Sequence, residues 1–271
     1  MNLPDKIYDT IKSMAKAVVH SRKGLPFKGI RHDSIIIMGN GPSLNDLIEK
    51  KLPLLKENTT MAVNFAALSE AFFSIKPACY VLADPHFFSN PEPGSNLYTL
   101  REAFRRIDWP ITLYVPAGAD ARPYMRPIVS IRRFNAVGIE GLTSLSHFAY
   151  RHGIGMPRPR NVLIPAIMIA IAEGYEKIYI AGADHSWMKT ISVTEDNEVV
   201  SVQPHFYADS ASEQQRVRHE YRGYRLHQIV DSFAVAFRSY HQIARYADSL
   251  GIKIFNITPG SFIDAFERTV L

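Results

Sequence analysis

Short, unbroken apolar runs alternate with longer stretches of helical period along this chain. The runs fall at 34–38, 60–63, 78–83, 111–115, 177–181 and 252–256. They are apolar at consecutive positions, as strands buried on both faces require. Between them, 44–51, 65–73, 161–173 and 237–250 carry apolar residues three and four apart, the spacing of a helix with a buried face. This alternation predicts an α/β fold with a single doubly wound, mostly parallel sheet and helices on both sides. Gly174 and Gly251 each follow a helical run and precede a strand, where a glycine closes a helix. Two stretches break the rhythm. Residues 116–160 are rich in Pro, Gly and Arg and show no clean period. Residues 185–228 are polar, interleave aromatic and basic side chains, and follow a strand end directly. A connection of that length reads as an inserted lid.

The first run leads into the most informative motif, SIIIMGNGPSL at 34–44. A strand, a glycine turn and a helix start follow one another within eleven residues. Glycine at 39 and 41 removes the Cβ atoms that keep a phosphate or ribose from the backbone. Pro42 suits a first helical position and Ser43 suits a cap. Such a turn collects N–H donors at the positive end of a helix dipole, which favours an anion. The turn is neither G-x-G-x-x-G nor G-x-x-x-x-G-K-[ST]. The plainer alternative is a structural turn that binds nothing.

Other strand ends are polar as well. The second run ends at Asn64, the third at Asp84-Pro85-His86, the fifth at Asp184-His185, and the last at Thr258-Pro259-Gly260-Ser261. In a parallel sheet these ends share one edge, and ligands of open α/β sheets bind there. No H-E-x-x-H, no cysteine pair and no G-x-S-x-G elbow is present, so no metal is expected and serine hydrolysis has no support.

Charge divides the chain at about residue 32. Residues 1–32 hold seven Lys/Arg and two Asp, which accounts for the whole formal net charge of +5. The body, 33–271, is therefore neutral, which argues against a nucleic-acid surface. Residues 1–32 also place Ile7, Ile11, Met14, Ala15, Val18 and Val19 at helical spacing. A basic amphipathic helix of this kind suits an anionic membrane surface; the alternative is that it packs on the body of the protein. With 271 residues and 46% hydrophobic content the chain can bury a substantial core. One cysteine, Cys79, lies in an apolar run, and a reducing compartment is implied. No run of 18 apolar residues and no secretory signal is found, so the expected location is cytoplasmic, with peripheral contact at the inner membrane.

The segments GNGPSL, VNFA, PACYVLADPHFF, NVLIPAIMIAIAEGYEKIYIAGAD and GIKIFNITPGSFIDAF occur in that order from about residue 34 to 266. Together they resemble the bacterial glycosyltransferase family 42, the sialyltransferases. The GNGPSL turn also occurs in the related 6-hydroxymethylpterin diphosphokinase-like family, and flagellin-modifying transferases share that broader lineage. The resemblance implies a Rossmann-like (GT-A-like) sheet with a lid, and metal-independent, inverting transfer from a CMP-activated sugar. It implies donor contacts at Asn40, Gly41, Ser43 and Asn64. Asp84 stands where the family has a donor-contacting asparagine. Ser186 stands where the family has a phosphate-binding tyrosine. Ala234 falls near the family's catalytic histidine.

The chemistry needs a base for the acceptor hydroxyl and donors for the leaving phosphate. His185 is the first candidate base, His227 the second and Asp84 the third, because a histidine titrates near neutral pH. Donor contacts are expected from Asn40, Gly41, Ser43, Asn64, Asp84, Asp184, Thr258 and Ser261. Phosphate contacts from the lid are expected from Tyr221, Arg222, Tyr224 and Arg225, since Tyr and Arg donate to phosphate without a metal. The expected partners are a nucleotide-sugar donor and a glycan or glycolipid acceptor in envelope polysaccharide assembly, with homo-oligomerisation left open. No cofactor is expected. A diphosphokinase-like enzyme using ATP and Mg²⁺, with Asp84 as a metal ligand, is the second reading. A non-catalytic nucleotide-binding module is the third.

Overall fold

The computed structural model describes residues 3–200 and 223–270. Its main sheet contains β1 (His32–Met38), β2 (Thr60–Val63), β3 (Cys79–Val81), β4 (Ile111–Pro116), β5 (Val129–Phe134), β6 (Tyr175–Ala181), β9 (Lys253–Asn256) and β10 (Glu267–Arg268). Their spatial order is β10-β9-β6-β1-β2-β3-β4-β5, and every neighbouring pair is parallel. The α/β expectation holds. The missing rhythm in 116–160 has a reason: β5, VSIRRF, is an edge strand and tolerates a half-buried Arg132 and an exposed Arg133, so it lacks the apolar signature of a central strand. The same stretch also holds α5 (Thr143–Arg151).

Successive residues of a strand face opposite sides, and the core divides accordingly. Ile35, Ile37, Met61, Val63, Ile178 and Ile180 lie on one side with the buried residues of α6 (Leu163–Glu173). Ile36, Met38, Ala62, Tyr80, Leu82 and Leu113 lie on the other, with α2 (Ser43–Glu57), α3 (Glu70–Ile75) and α4 (Asn96–Arg106). Every residue of α6 is buried, because α7 (Leu226–Ser249) covers the side that the sheet does not. Its one acid, Glu173, is held by Lys28 and Arg132, each at 2.6 Å. Gly174 ends α6 at φ 91°, as expected of a closing glycine. The helix expected at 237–250 begins eleven residues earlier, at Leu226, so 226–228 of the expected lid form the first turn of α7. Of the rest, 187–189 make a 3-10 turn, and β7 (Ser192–Val193) pairs antiparallel with β8 (Val199–Val200).

The N-terminal helix, α1 (Leu3–His20), is present. It docks through Thr10, Ser13 and Ala17, while Ile7, Ile11, Met14, Val18 and Val19 stay exposed. Among the described residues no helix is long and apolar enough to cross a membrane.

Candidate functional site

Strand order reverses at β1, which has β2 on one side and β6 on the other. Crevices at such a reversal are where open α/β sheets bind ligands. The two turns leaving β1 and β6 touch. The Gly39 N–H donates to Ala181 O and the Gly41 N–H to Gly182 O, both at 2.8 Å. A Cβ at Gly39 would lie 2.5 Å from Gly182 O, and one at Gly41 would lie 1.9 Å from Asp184 Oδ2. Neither glycine has positive φ, so the need is for space. The space a Cβ would need beside each glycine is taken by protein. The Gly41 donor is spent, and Ser43 does not cap α2. Its Oγ donates instead to Asp184 Oδ2 at 2.8 Å. The positive end of α2 therefore already faces a carboxylate.

Beside this junction opens a cleft of about 1180 Å³. Asn40 and Gly41 line it from the end of β1, Asn64 from β2, Asp84 and His86 from β3, and Asp184, His185 and Trp187 from β6. Arg158, Arg160 and Asn161 enter from the segment before α6, and Tyr224, Asp231 and Arg238 from α7 and the residues before it. Three side-chain atoms around it, Asn40 Oδ1, Asn64 Oδ1 and Asn161 Nδ2, are shielded from solvent and have no hydrogen-bond partner. Leaving such an atom unpaired costs about 1–3 kcal/mol, so these three are available to a ligand, as unpaired buried atoms elsewhere, Gln242 Oε1 and Tyr246 Oη among them, are not.

The local structure explains each asparagine. Asn64 leaves β2 at φ 48°, a left-handed conformation that asparagine tolerates better than most residues. Buried Tyr80 fixes it, donating from its hydroxyl to Asn64 O at 2.5 Å and accepting from the Ala67 N–H at 3.1 Å. Asn161 caps α6, with Oδ1 accepting from the N–H groups of Leu163 and Ile164. That role orients the amide and leaves Nδ2 as the free donor.

His185 is buried and stands at φ 51°. Its Nε2 lies 2.6 Å from Tyr240 Oη, and the Tyr240 hydroxyl donates to Asn161 Oδ1 at 2.9 Å. The tyrosine's one proton is therefore used, so the histidine carries its proton on Nε2 and donates it. Burial pushes the imidazole down to about 3. A base titrating near neutrality is thus not what this environment makes of His185. His227, the second candidate, is exposed on the first turn of α7 and does not line the cleft; Arg225 is exposed and outside the lining as well. Asp84 does line the cleft, exposed, and its Oδ1 accepts from the His86 N–H at 2.7 Å. Tyr224 lines it; Tyr221 and Arg222 lie outside the described residues.

Thr258 and Ser261 are not cleft residues. Thr258 Oγ1 accepts from the Ala183 N–H at 3.0 Å, and Ser261 Oγ donates to Ala183 O at 2.6 Å. Both are buried and hold the β6 turn in place from β9's side. The residues not foreseen are Arg158, Arg160, Asn161 and Arg238; His86 stands in the sequence as part of a polar strand end, without a role of its own. Arg158 and Arg160 flank a proline immediately before the most apolar helix of the chain, and that helix had to start at the same sheet edge. Among the described residues no group of three or more His, Cys, Asp or Glu side chains could hold a metal ion.

No family model matches the chain. No curated protein matches it either. Among solved structures it is similar to the MAf glycosyltransferase from Magnetospirillum magneticum AMB-1, with 15% identity and a TM-score of 0.53. That likeness covers 99% of this chain and 38% of the other, so this chain spans well under half of its length. At this identity the likeness shows a shared α/β fold.

Proposed function

We propose that the cleft binds a CMP-activated acidic sugar and that the protein is an inverting, metal-independent glycosyltransferase of cell-envelope polysaccharide or lipopolysaccharide assembly. The observation that carries this reading is the set of three unpaired amide atoms at the switch point of the sheet. The cleft offers different chemistry on its two sides. Asn40 Oδ1, Asn64 Oδ1 and the Asp84 carboxylate accept hydrogen bonds, as ribose hydroxyls and a cytosine amino group require. Arg160 and Arg238, with Arg158 already paired to Glu140, bring positive charge from the segment before α6 and from α7, with Asn161 Nδ2 at the start of α6. A donor with both a phosphate and a sugar carboxylate suits that side. The fold shared with a glycosyltransferase is consistent with the reading.

In this reading the leaving phosphate rests on the arginine side and not on the GNGPS turn. The base must meet an acceptor arriving from solvent, and buried His185 does not. His86, partly exposed in the lining and next to Asp84 in the chain, takes that role. His185 then positions Tyr240 and Asn161 through its Nε2–H.

The test is release of CMP from a CMP-activated acidic sugar in the presence of chelator, with an oligosaccharide or glycolipid acceptor. Activity with chelator present supports the reading, and His86→Ala should lower kcat by about 10²–10⁴. Turnover of ATP dependent on Mg²⁺, with none of CMP-sugar, would replace it with the kinase reading.

A further inference from the structure

An amphipathic helix normally buries its apolar stripe against the protein that carries it, but α1 does not. Its docking line is small and mostly polar. Thr10 Oγ1 accepts from the Leu142 N–H at 2.8 Å, and Ser13 Oγ accepts from the Glu140 N–H at 2.9 Å. Ala17 packs against the core one turn further on. The approach is close, because a Cβ at Gly141 would lie 2.1 Å from Thr10 Oγ1. After the helix, Asn135 locks the chain by accepting from the Arg22 N–H and donating to Ser21 Oγ, Arg22 O and Gly153 O. The orientation of α1 is therefore fixed by hydrogen bonds, and they turn its apolar stripe outward.

That stripe is Leu3, Ile7, Ile11, Met14 and Val18, with Tyr8 and Val19 beside it. Val18 is 86% exposed and Ile11 65% exposed. Lys12 and Lys16 stand with Asp5 and Asp9 on the helix face opposite the stripe, and Arg22 and Lys23 follow the helix; these four basic residues are exposed. Residues 1–32 carry the chain's whole formal excess of +5. Two copies pressed together through this face would bring those charges together. A surface that is apolar beneath and negative above would satisfy both the stripe and the charge.

We propose that α1 lies in the plane of an anionic lipid bilayer, apolar stripe down. The helix docks on residues 140–142; Phe134 and Ala136, a few residues earlier in the chain, line the cleft, as does Arg158. Glu140 itself is paired with Arg158 at 2.5 Å. The membrane face is therefore coupled by a short path to the cleft wall. This inference stands apart from the reaction assigned to the cleft.

The experiment is co-sedimentation of the full chain with phosphatidylcholine vesicles, with and without 30 mol% phosphatidylglycerol. The expected result is binding to the anionic vesicles alone, weakening as salt rises. Lys12→Gln and Lys16→Gln should each weaken it roughly fivefold. The double variant Ile11→Asp/Val18→Asp changes exposed positions only; it should keep the wild-type Tm and lose binding at least tenfold. Wild-type protein that ignores anionic vesicles overturns the proposal, as does a double variant that binds normally. A concentration-dependent dimer that the double variant abolishes, without vesicle binding, overturns it in favour of contact between copies. CMP-sugar turnover in detergent-free solution reads the cleft separately, so either idea can fail alone.

Discussion

Acidification should destabilise this protein through His185, and the effect can be sized from its surroundings. Burial lowers the folded-state pKa to about 3, whereas an unfolded histidine titrates near 6.5. Between those values the unfolded chain holds a proton that the folded chain does not. Stability therefore rises with pH across the window and falls as pH drops through it. The slope is about 1.4 kcal/mol per pH step, so about 2 kcal/mol is lost by pH 5 and about 4 kcal/mol by pH 3. Carboxylates titrate over part of the same range, so the quantity to measure is a difference. His185→Asn removes the titrating ring and suits the left-handed backbone found at φ 51°. Urea unfolding of both proteins at pH 7.5, 6 and 5 should show wild type losing about 2 kcal/mol more than the variant by pH 5. Equal losses, or a histidine NMR signal assigned to residue 185 with a midpoint near 6.5, would refute the buried neutral imidazole. They would also restore His185 as a candidate base.

Gly41→Ala should cost about 3 kcal/mol, read as a lowered Tm, because its Cβ meets Asp184 Oδ2 and Gly182 O. A variant as stable as wild type would show that the β1 and β6 turns are not in contact. Tyr80→Phe removes the hydroxyl that holds Asn64 O and the Ala67 N–H, and should cost about 1–3 kcal/mol in urea unfolding while weakening nucleotide binding. Asn40→Ala should leave Tm unchanged or raised, since it removes an unpaired buried oxygen, yet should reduce nucleotide affinity about tenfold by calorimetry.

Much of the scaffold was legible because burial writes itself into sequence. The strands at 34–38, 60–63 and 177–181 have helices on both faces, and their unbroken apolar runs said so. β5 was hidden because it is an edge strand, where Arg132 can serve Glu173 of the neighbouring helix instead of an apolar core. The site was half legible. Asn40, Asn64, Asp84 and Asp184 reach the cleft as their strand-end positions implied. Thr258 and Ser261 occupy equivalent positions but spend their hydroxyls on Ala183, and no pattern in one sequence separates a ligand contact from a backbone brace. Gly41 shows a related limit: sequence can suggest that a Cβ is forbidden, but not that Asp184 and Gly182 are what it would meet. Periodicity located α1 and its stripe, but which face docks depends on Thr10 and Ser13 meeting loop N–H groups far along the chain.

The central claim is that the cleft at the β1–β6 reversal holds a cytidine nucleotide without a metal. Thermal-shift measurement with CMP, CDP, UDP, GDP and ATP, each with and without Mg²⁺, tests it most directly. CMP at about 100 times its dissociation constant should stabilise by about 2.7 kcal/mol, a rise of roughly 5 °C for a chain of this length, unchanged by chelator and reduced in Asn40→Ala and Asn64→Ala. Stabilisation by ATP only in the presence of Mg²⁺, or a CMP shift that both asparagine variants retain in full, would contradict the account.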